Sequence, residues 1–128
     1  MDEAKTWLEF AKTDLGVSIH LMEAYYPMPL EIICYHCQQA AEKAIKAVAI
    51  YHGTQGGLPK KHNLSFLLEQ IKNVEEIPEE YYDYADELTP YGIVVRYPNE
   101  LFLVKSHAQK AIEYAEKLVG WAERIVFR

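Results

Sequence analysis

The sequence predicts an all-α protein, an antiparallel up-and-down bundle of about five helices that resembles a four-helix bundle. Apolar residues recur at spacings of three and four along most of the chain, which is the period of an amphipathic helix. The breaks between these segments carry proline or glycine, and no stretch shows the alternation of a strand. Because 128 residues are enough for one core, we expect residues 1–128 to form a single domain.

The first two helices have the most regular apolar stripes. The first is predicted over Asp2–Tyr25, with Asp14 at the edge of its stripe. The second is predicted over Pro29–His52, because a proline suits the first turn of a helix. The stripe residues are Trp7, Ala11, Leu15, Ser18 and Met22 in the first helix, and Ile33, Cys37, Ala40, Ala44, Ala47 and Tyr51 in the second.

Three further helices follow a loop rich in glycine. Asn63 can cap a short third helix. A fourth helix is predicted over Glu79–Val95, with a bend near Pro90. The last helix is predicted over Asn99–Phe127, because the residue before Pro98 avoids the helical region. The inward residues are Leu64, Leu67, Leu68 and Ile71 in the third helix, and Val104, Ala108, Ala111, Ala115, Leu118, Ala122 and Ile125 in the last.

Composition narrows the class of protein. Thirteen Lys and Arg against nineteen Asp and Glu give a net charge of −6, which argues against bulk coating of DNA or RNA. The N-terminal residues do not resemble a signal peptide, and no apolar run is long enough to span a membrane. Two cysteines make no disulfide framework, so we expect a cytoplasmic protein.

Acidic residues and tyrosines concentrate in and around the fourth predicted helix. Residues 74–95 hold seven acids and no Lys or Arg, and five of the ten tyrosines lie between positions 81 and 97. This pattern is typical of a solvated acidic face above aromatic packing, or of a docking surface for a basic partner. The residues are Glu75, Glu76, Glu79, Glu80, Asp83, Asp86 and Glu87, with Tyr81, Tyr82, Tyr84, Tyr91 and Tyr97.

The "CYHC" stretch suggests a metal or redox site, but the rest of the chain does not complete one. A structural zinc needs four ligands, and no second cysteine pair accompanies Cys34 and Cys37. The pair also starts inside a helix rather than at an N-terminus, where the dipole would activate a thiol. We predict packed thiols and no metal site. Phosphate-loop, nucleophile-elbow and zinc-protease motifs are absent, and we expect no cofactor.

Polar residues follow one side of the second helix. Glu42 and Lys46, and Gln39 and Lys43, stand four residues apart, so each pair could simply stabilise the helix surface. His36 lies on the same side, and lysines beside an apolar wall could also hold a phosphate.

Four short motifs occur in the order "DL", "QQAAEKAIKA", "KHNLSFLL" and "RYP". Together they resemble the HEPN domain family (higher eukaryotes and prokaryotes nucleotide-binding), from about Ala4 to Val126. The resemblance implies a helical bundle that commonly forms a homodimer. Some small members are encoded beside a minimal nucleotidyltransferase in a toxin–antitoxin pair. Many HEPN toxins are metal-independent ribonucleases with an arginine followed four to six residues later by a histidine, and other members are nucleotide-binding or interaction modules.

Arg96 matches the family arginine, but no histidine stands four to six residues after it. The next one is His107, which would lie several turns inside a helix that began at Asn99. The departure argues against catalysis. His62, beside two lysines, is the other candidate catalytic histidine, with a capping role as its structural alternative.

We therefore expect a nucleotide- or partner-binding module, a homodimer working with a minimal nucleotidyltransferase, with no membrane association. Its expected phosphate site is a polar cleft bordered by Arg96, Tyr97, Lys43, Lys46 and His62, with Asp14, His36, Gln39 and Glu42 in support. One alternative is a metal-independent ribonuclease in which Arg96 pairs with His62 or His107, across a dimer interface if necessary. Another is a purely structural interaction domain.

Overall fold

The computed structural model describes residues 2–54, 62–93 and 102–128, and within these ranges it is built from helices alone. This confirms the all-α prediction. The elements are α1 (Glu3–Ala24), α2 (Leu30–Tyr51), α3 (Leu64–Glu69), α4 (Glu80–Leu88), a 3₁₀ turn (Thr89–Gly92) and α5 (Lys105–Val126). No helix of the described ranges has both the length and the apolar character needed to cross a membrane.

Local sequence explains where the first three helices begin. The Asp2 side chain accepts a hydrogen bond of 2.9 Å from the backbone N–H of Ala4, and so caps α1. Asn63 caps α3 as expected, accepting from the N–H of Phe66 at 3.0 Å. Pro29 occupies the N-cap position of α2, one residue before the first turn predicted for it.

Helix α2 lies at the centre of the fold and contacts α1, α3, α4, the 3₁₀ turn and α5. Its packing against α1 and α5 is the most extensive, because small side chains let both neighbours approach closely. The fully buried alanines of α2 are Ala40, Ala41, Ala44, Ala47 and Ala49. They confirm the predicted stripe except at its end, where Tyr51 is exposed.

The fourth helix is shorter than predicted. It ends at Leu88, and the chain tightens into the 3₁₀ turn that contains Pro90. Proline has no N–H for the helical ladder, and the Thr89 hydroxyl donates a hydrogen bond of 2.8 Å to the backbone oxygen of Ala85 at this point. Predicted helical residues 94 and 95 lie outside the described ranges.

The last helix begins at Lys105, so its predicted start at Asn99 is wrong. Phe102 has a φ of 50°, in the left-handed region, and Val104 is extended with a φ of −121°. His107 then lies in the first turn of α5, where its Nδ1 accepts a hydrogen bond of 3.0 Å from the N–H of Val104. The position several turns inside the helix expected for His107 is therefore also wrong.

Candidate functional site

Two carboxylates organise the polar residues between α1 and α2: the partly buried Asp14 on α1 and the buried Glu42 on α2. We call the set of charged and titratable side chains around them the ionic strip. Its members are Asp14, His36, Glu42, Lys43, Lys46 and His62.

Asp14 forms the first half of the ionic strip by reaching from α1 to α2. Its Oδ1 lies 2.9 Å from His36 Nδ1, and its Oδ2 lies 2.6 Å from Lys43 Nζ. The Asp14 side chain is only 13% exposed, and a carboxylate that has lost most of its contact with water is stabilised by pairing. Histidine and lysine therefore share one acceptor. Because the acceptor is a carboxylate, the Nδ1 of His36 carries the donated proton.

Glu42 forms the second half, and its side chain is 5% exposed. Its carboxylate accepts hydrogen bonds from Lys46 Nζ at 3.1 Å and from His62 Nδ1 at 2.8 Å. The side-chain amide of Gln38 donates a third bond, at 3.2 Å. Burial acts to raise the pKa of Glu42, but these three hydrogen bonds together lower that pKa below its ordinary value of 4.5. Glu42 is thus an ionised anchor at neutral pH.

A fully buried glutamine connects Glu42 to the rest of the fold. Besides its bond to Glu42, Gln38 donates to the backbone oxygen of His62 at 3.3 Å and accepts from Gln39 at 2.8 Å. Gly92 of the 3₁₀ turn packs directly on this amide: a Cβ at position 92 would lie 2.6 Å from the Gln38 side chain. The absence of a side chain at Gly92 therefore lets the turn approach the glutamine.

Aromatic rings border the strip on the α1 side. Lys46 Nζ lies 5.3 Å from the centre of the Trp7 ring, within the range of a cation–π interaction. Phe10 packs edge-on against Trp7, with ring centres 5.9 Å apart, and its side chain is half-exposed. Trp7, Phe10 and Asp14 follow one side of α1 at spacings of three and four. The aromatic rings and the strip therefore form one continuous surface.

The strip retains hydrogen-bonding capacity. An ammonium group has three donors, and within the described residues Lys43 and Lys46 each give one to a carboxylate. The Nε2 atoms of His36 and His62 make no hydrogen bond in the described part of the chain, and His62 is 64% exposed. The two lysines, one helical turn apart, could each donate to the oxygens of an anion.

The predicted helix-surface pairs have different outcomes. Glu42 and Lys46 form the expected pair within α2. Gln39 and Lys43 do not pair, because Lys43 binds Asp14 on α1 and Gln39 binds its neighbour Gln38. The prediction considered contacts within one helix, whereas the packing of α1 on α2 supplies a stronger, charged acceptor for Lys43.

The other predicted site residues are separated from the strip or lie outside the described ranges. Arg96 and Tyr97 belong to residues 94–101, outside those ranges, so a cleft that includes them stays a prediction. His107, in contrast, lines a cavity between α4 and α5. Sequence reasoning missed Trp7, Gln38 and Gly92 as neighbours of the polar site. The contact between Lys46 on α2 and Trp7 on α1 could have suggested Trp7. Spacing along one helix does not reveal a contact between two helices.

The two cysteines are buried thiols, as predicted. Cys34 and Cys37 are both fully buried, and burial raises the pKa of each to about 12. They are protonated and unreactive at neutral pH. Within residues 2–54, 62–93 and 102–128, no group of three or more His, Cys, Asp or Glu side chains is placed to hold a metal ion.

The acidic segment is not a uniformly solvated face. Glu75 is buried, and its carboxylate accepts hydrogen bonds from His52 Nε2 at 2.9 Å and from the Arg128 guanidinium. The expected aromatic packing is present, because Tyr81 meets Trp121 edge to face at 5.8 Å. The docking interpretation of the segment is not tested by these contacts.

The geometry defines a class of protein: a helical bundle whose central helix carries a paired ionic strip on one side. The HEPN domain family matches residues 4–125. The chain belongs to the HEPN family.

Solved structures agree with this assignment. TT1696 from Thermus thermophilus is 25% identical, with a TM-score of 0.80 over 98% of this chain and 99% of that chain. ST0689, an archaeal HEPN homologue, is 20% identical, with a TM-score of 0.75 over 98% of this chain and 99% of that chain. At this identity the similarity supports the fold only. An HEPN domain protein from Thermotoga maritima, tm0613, is 30% identical, with a TM-score of 0.61 and coverage of 100% and 97%. No curated protein matches the chain.

Proposed function

We propose that this HEPN protein is a nucleotide-binding module that holds the phosphates of its ligand on the ionic strip. The observation that carries the proposal is the pair Lys43 and Lys46, one turn apart, each held by a carboxylate that is partly or fully buried. Fixing a flexible lysine in advance reduces the entropy that a ligand must remove on binding. The remaining ammonium donors then suit phosphate oxygens.

The surroundings of the strip favour a nucleotide over a bare phosphate. The half-exposed Phe10 lies beside Trp7 and offers an aromatic face near Lys46. Base stacking on an aromatic side chain contributes about 1–3 kcal/mol per base and accepts any base. A phosphate on the lysines and a base on Phe10 would occupy one continuous surface.

The module works, in this proposal, as a homodimer beside a minimal nucleotidyltransferase, as one of a toxin–antitoxin type pair. Support comes from membership of the HEPN family and from the resemblance of the chain to its small members. A nucleotidyltransferase gene next to this one, and co-purification of the two products, are the expected observations. A neighbouring gene of another class, with no co-purification, would remove this part of the proposal.

Calorimetric titration with ATP and with adenosine tests the phosphate site. We expect ATP to bind and adenosine to bind at least about tenfold more weakly, because adenosine lacks the charge that the lysines contact. Lys43→Ala and Lys46→Ala should each weaken ATP binding by about tenfold.

Lys72→Ala is the matched control, because it removes the same charge from an exposed lysine that pairs only with exposed Glu69 among the described residues. Its ATP affinity should remain within about twofold of the original. Equal losses in Lys43→Ala and Lys72→Ala would show that net charge alone attracts the nucleotide, and would refute a defined site.

A ribonuclease is the second candidate, and the position of His107 favours it. This histidine lies in the first turn of α5, eleven residues after Arg96 in the sequence. Its Nδ1 accepts from Val104, so the neutral ring carries its proton on Nε2 and could donate it. General acid–base catalysis contributes about 10²–10⁴-fold to such reactions.

Incubation of the purified protein with RNA in the presence of a metal chelator separates the two candidates. Cleavage that is lost in His107→Ala and kept in Lys43→Ala would identify a ribonuclease. Intact RNA at high protein concentration would exclude this second candidate and leave the nucleotide-binding proposal unaffected.

A further inference from the structure

A second concave site lies between α4 and α5, on residues that the ionic strip does not use. We call it the α4–α5 cavity; its volume is about 720 Å³, within the range of about 300–1,000 Å³ that small-molecule sites occupy. Carboxylates of α4 and one tyrosine each from α4, the 3₁₀ turn and α5 form much of its lining. The residues that matter here are Asp83, Asp86, Glu87, Tyr84, Tyr91 and Tyr114.

The three carboxylates have no cationic partner within the described residues. Asp86 accepts a hydrogen bond of 2.6 Å from the Ser65 hydroxyl, which is neutral. Asp83 and Glu87 make no ion pair in the described ranges, although Lys110 and Glu87 both line an adjoining cavity of about 160 Å³. Carboxylates around one concavity that have no cationic partner among the described residues create a negative potential that attracts cations.

The tyrosines add an aromatic wall to this negative site. Tyr84 and Tyr114 stack with ring centres 4.5 Å apart and an angle of 13° between the rings. Such faces attract ammonium and guanidinium groups, and a planar guanidinium can also stack on them.

The Tyr91 side chain provides an independent indication of a ligand. Tyr91 is only 8% exposed and lines the cavity, yet its hydroxyl makes no hydrogen bond within the described residues. No side-chain nitrogen or oxygen of the described residues is both inaccessible and unpartnered, so this hydroxyl reaches the open cavity, where a ligand could contact it. Burial raises the pKa of Tyr91 to about 12, so the group stays a neutral hydroxyl that can accept a hydrogen bond from a cationic donor.

We propose that the α4–α5 cavity binds an arginine or lysine side chain presented by a basic segment of a protein partner. A protein segment is favoured over a small free cation because the negative surface continues beyond the cavity. Glu79 and Glu80, at the start of α4, are exposed and could meet further basic residues of the same segment. This site is independent of the proposed nucleotide site, since the two share no residue.

Fluorescence anisotropy with a labelled hexapeptide of alternating glycine and arginine tests the proposal, at about 0.15 M ionic strength. We expect the peptide to bind and the matching glycine–serine peptide not to bind. The double variant Asp83→Asn/Glu87→Gln should weaken binding by at least about tenfold. Tyr84→Leu should weaken it by about threefold through loss of the aromatic face, provided that its thermal unfolding is unchanged.

The matched control is Glu9→Gln/Glu23→Gln, which changes the net charge equally at two exposed positions of α1. It should keep its affinity within about twofold, as expected for distant screened charges. An equal loss in both double variants would reduce the effect to overall charge and overturn the site. Complete displacement of the peptide by equimolar spermidine would overturn the protein-segment assignment in favour of a free polyamine.

Discussion

The ionic strip and the α4–α5 cavity both contain carboxylates, but the burial and pairing of these carboxylates differ between the two regions. In the strip, Glu42 is buried and Asp14 is partly buried, with a side chain only 13% exposed, and each has at least two hydrogen-bonded partners. In the cavity, Asp83 and Glu87 are exposed and have no ion-pair partner within the described residues. The difference shows that burial, not acidity, decides where the fold requires pairing, since a buried unpaired charge is far more costly than a solvated one.

The same difference gives the two regions opposite ligand preferences. The strip has satisfied its acceptors and retains lysine donors, which favour an anion. The cavity retains acceptors and aromatic faces, which favour a cation. The two proposals therefore assign ligands of opposite charge to two regions of one small bundle.

Removing one carboxylate from each region should give the largest difference in unfolding free energy between the two regions. Glu42→Ala leaves Lys46, His62 and the buried amide of Gln38 without their acceptor, so we expect a loss of about 2–4 kcal/mol in unfolding free energy. Glu87→Ala, at an exposed position, should change it by less than about 0.5 kcal/mol. Urea unfolding followed by circular dichroism measures both. Similar losses in the two variants would contradict the distinction.

Gly92→Ala should cause the next largest loss of unfolding free energy. Gly92 is not a member of the strip, but it contacts Gln38, which binds Glu42. The new Cβ would lie 2.6 Å from the Gln38 side chain, which must move away from Glu42 and the backbone of His62. We expect a loss of about 1–3 kcal/mol.

A double-mutant cycle checks the cause of that loss. In a Gln38→Ala background the Cβ has space, so Gly92→Ala should be nearly neutral there, and the two effects should not add. Additive losses would show that Gly92 matters for a reason other than contact with Gln38.

Acid should remove the contribution of Glu42 gradually. Because the pKa of Glu42 is lowered in the folded state, its stabilisation is complete above the ordinary value of 4.5 and is lost as the pH falls through the folded value. Below pH 4.5 the unfolding free energy should therefore fall more steeply in the original protein than in Glu42→Gln, by up to about 1.4 kcal/mol per pH unit. Parallel pH curves for the two proteins would refute this role of Glu42.

Local signals made much of the fold predictable. Helices α1 and α3 begin next to side-chain caps, and the small residues that recur at spacings of three and four along α2 mark its buried side. The start of α5 was not predictable in the same way. Phenylalanine is unusual in the left-handed conformation that Phe102 adopts, and histidine is unusual as the side chain that caps a helix start. No common sequence pattern therefore predicts this start.

Only those contacts of the candidate site that lie within one helix could be predicted from the sequence. Spacing along α2 predicted the bond between Glu42 and Lys46. The bonds from Asp14 to α2 join residues 22 and 29 positions apart, so they depend on how α1 packs, which spacing does not specify. The contact between Gly92 and Gln38 depends in the same way on where the 3₁₀ turn lies over α2.

The most direct test of the account is a side-chain NMR titration in which ATP and the arginine peptide are added separately to the full chain. ATP should shift the ring signals of His36 and His62 and leave those of Tyr84 and Tyr114 unchanged. The arginine peptide should do the reverse, because the strip keeps donors and the cavity keeps acceptors. Shifts at the tyrosines with ATP, or none at the two histidines, would contradict the claim that the ionic strip is the phosphate-binding site.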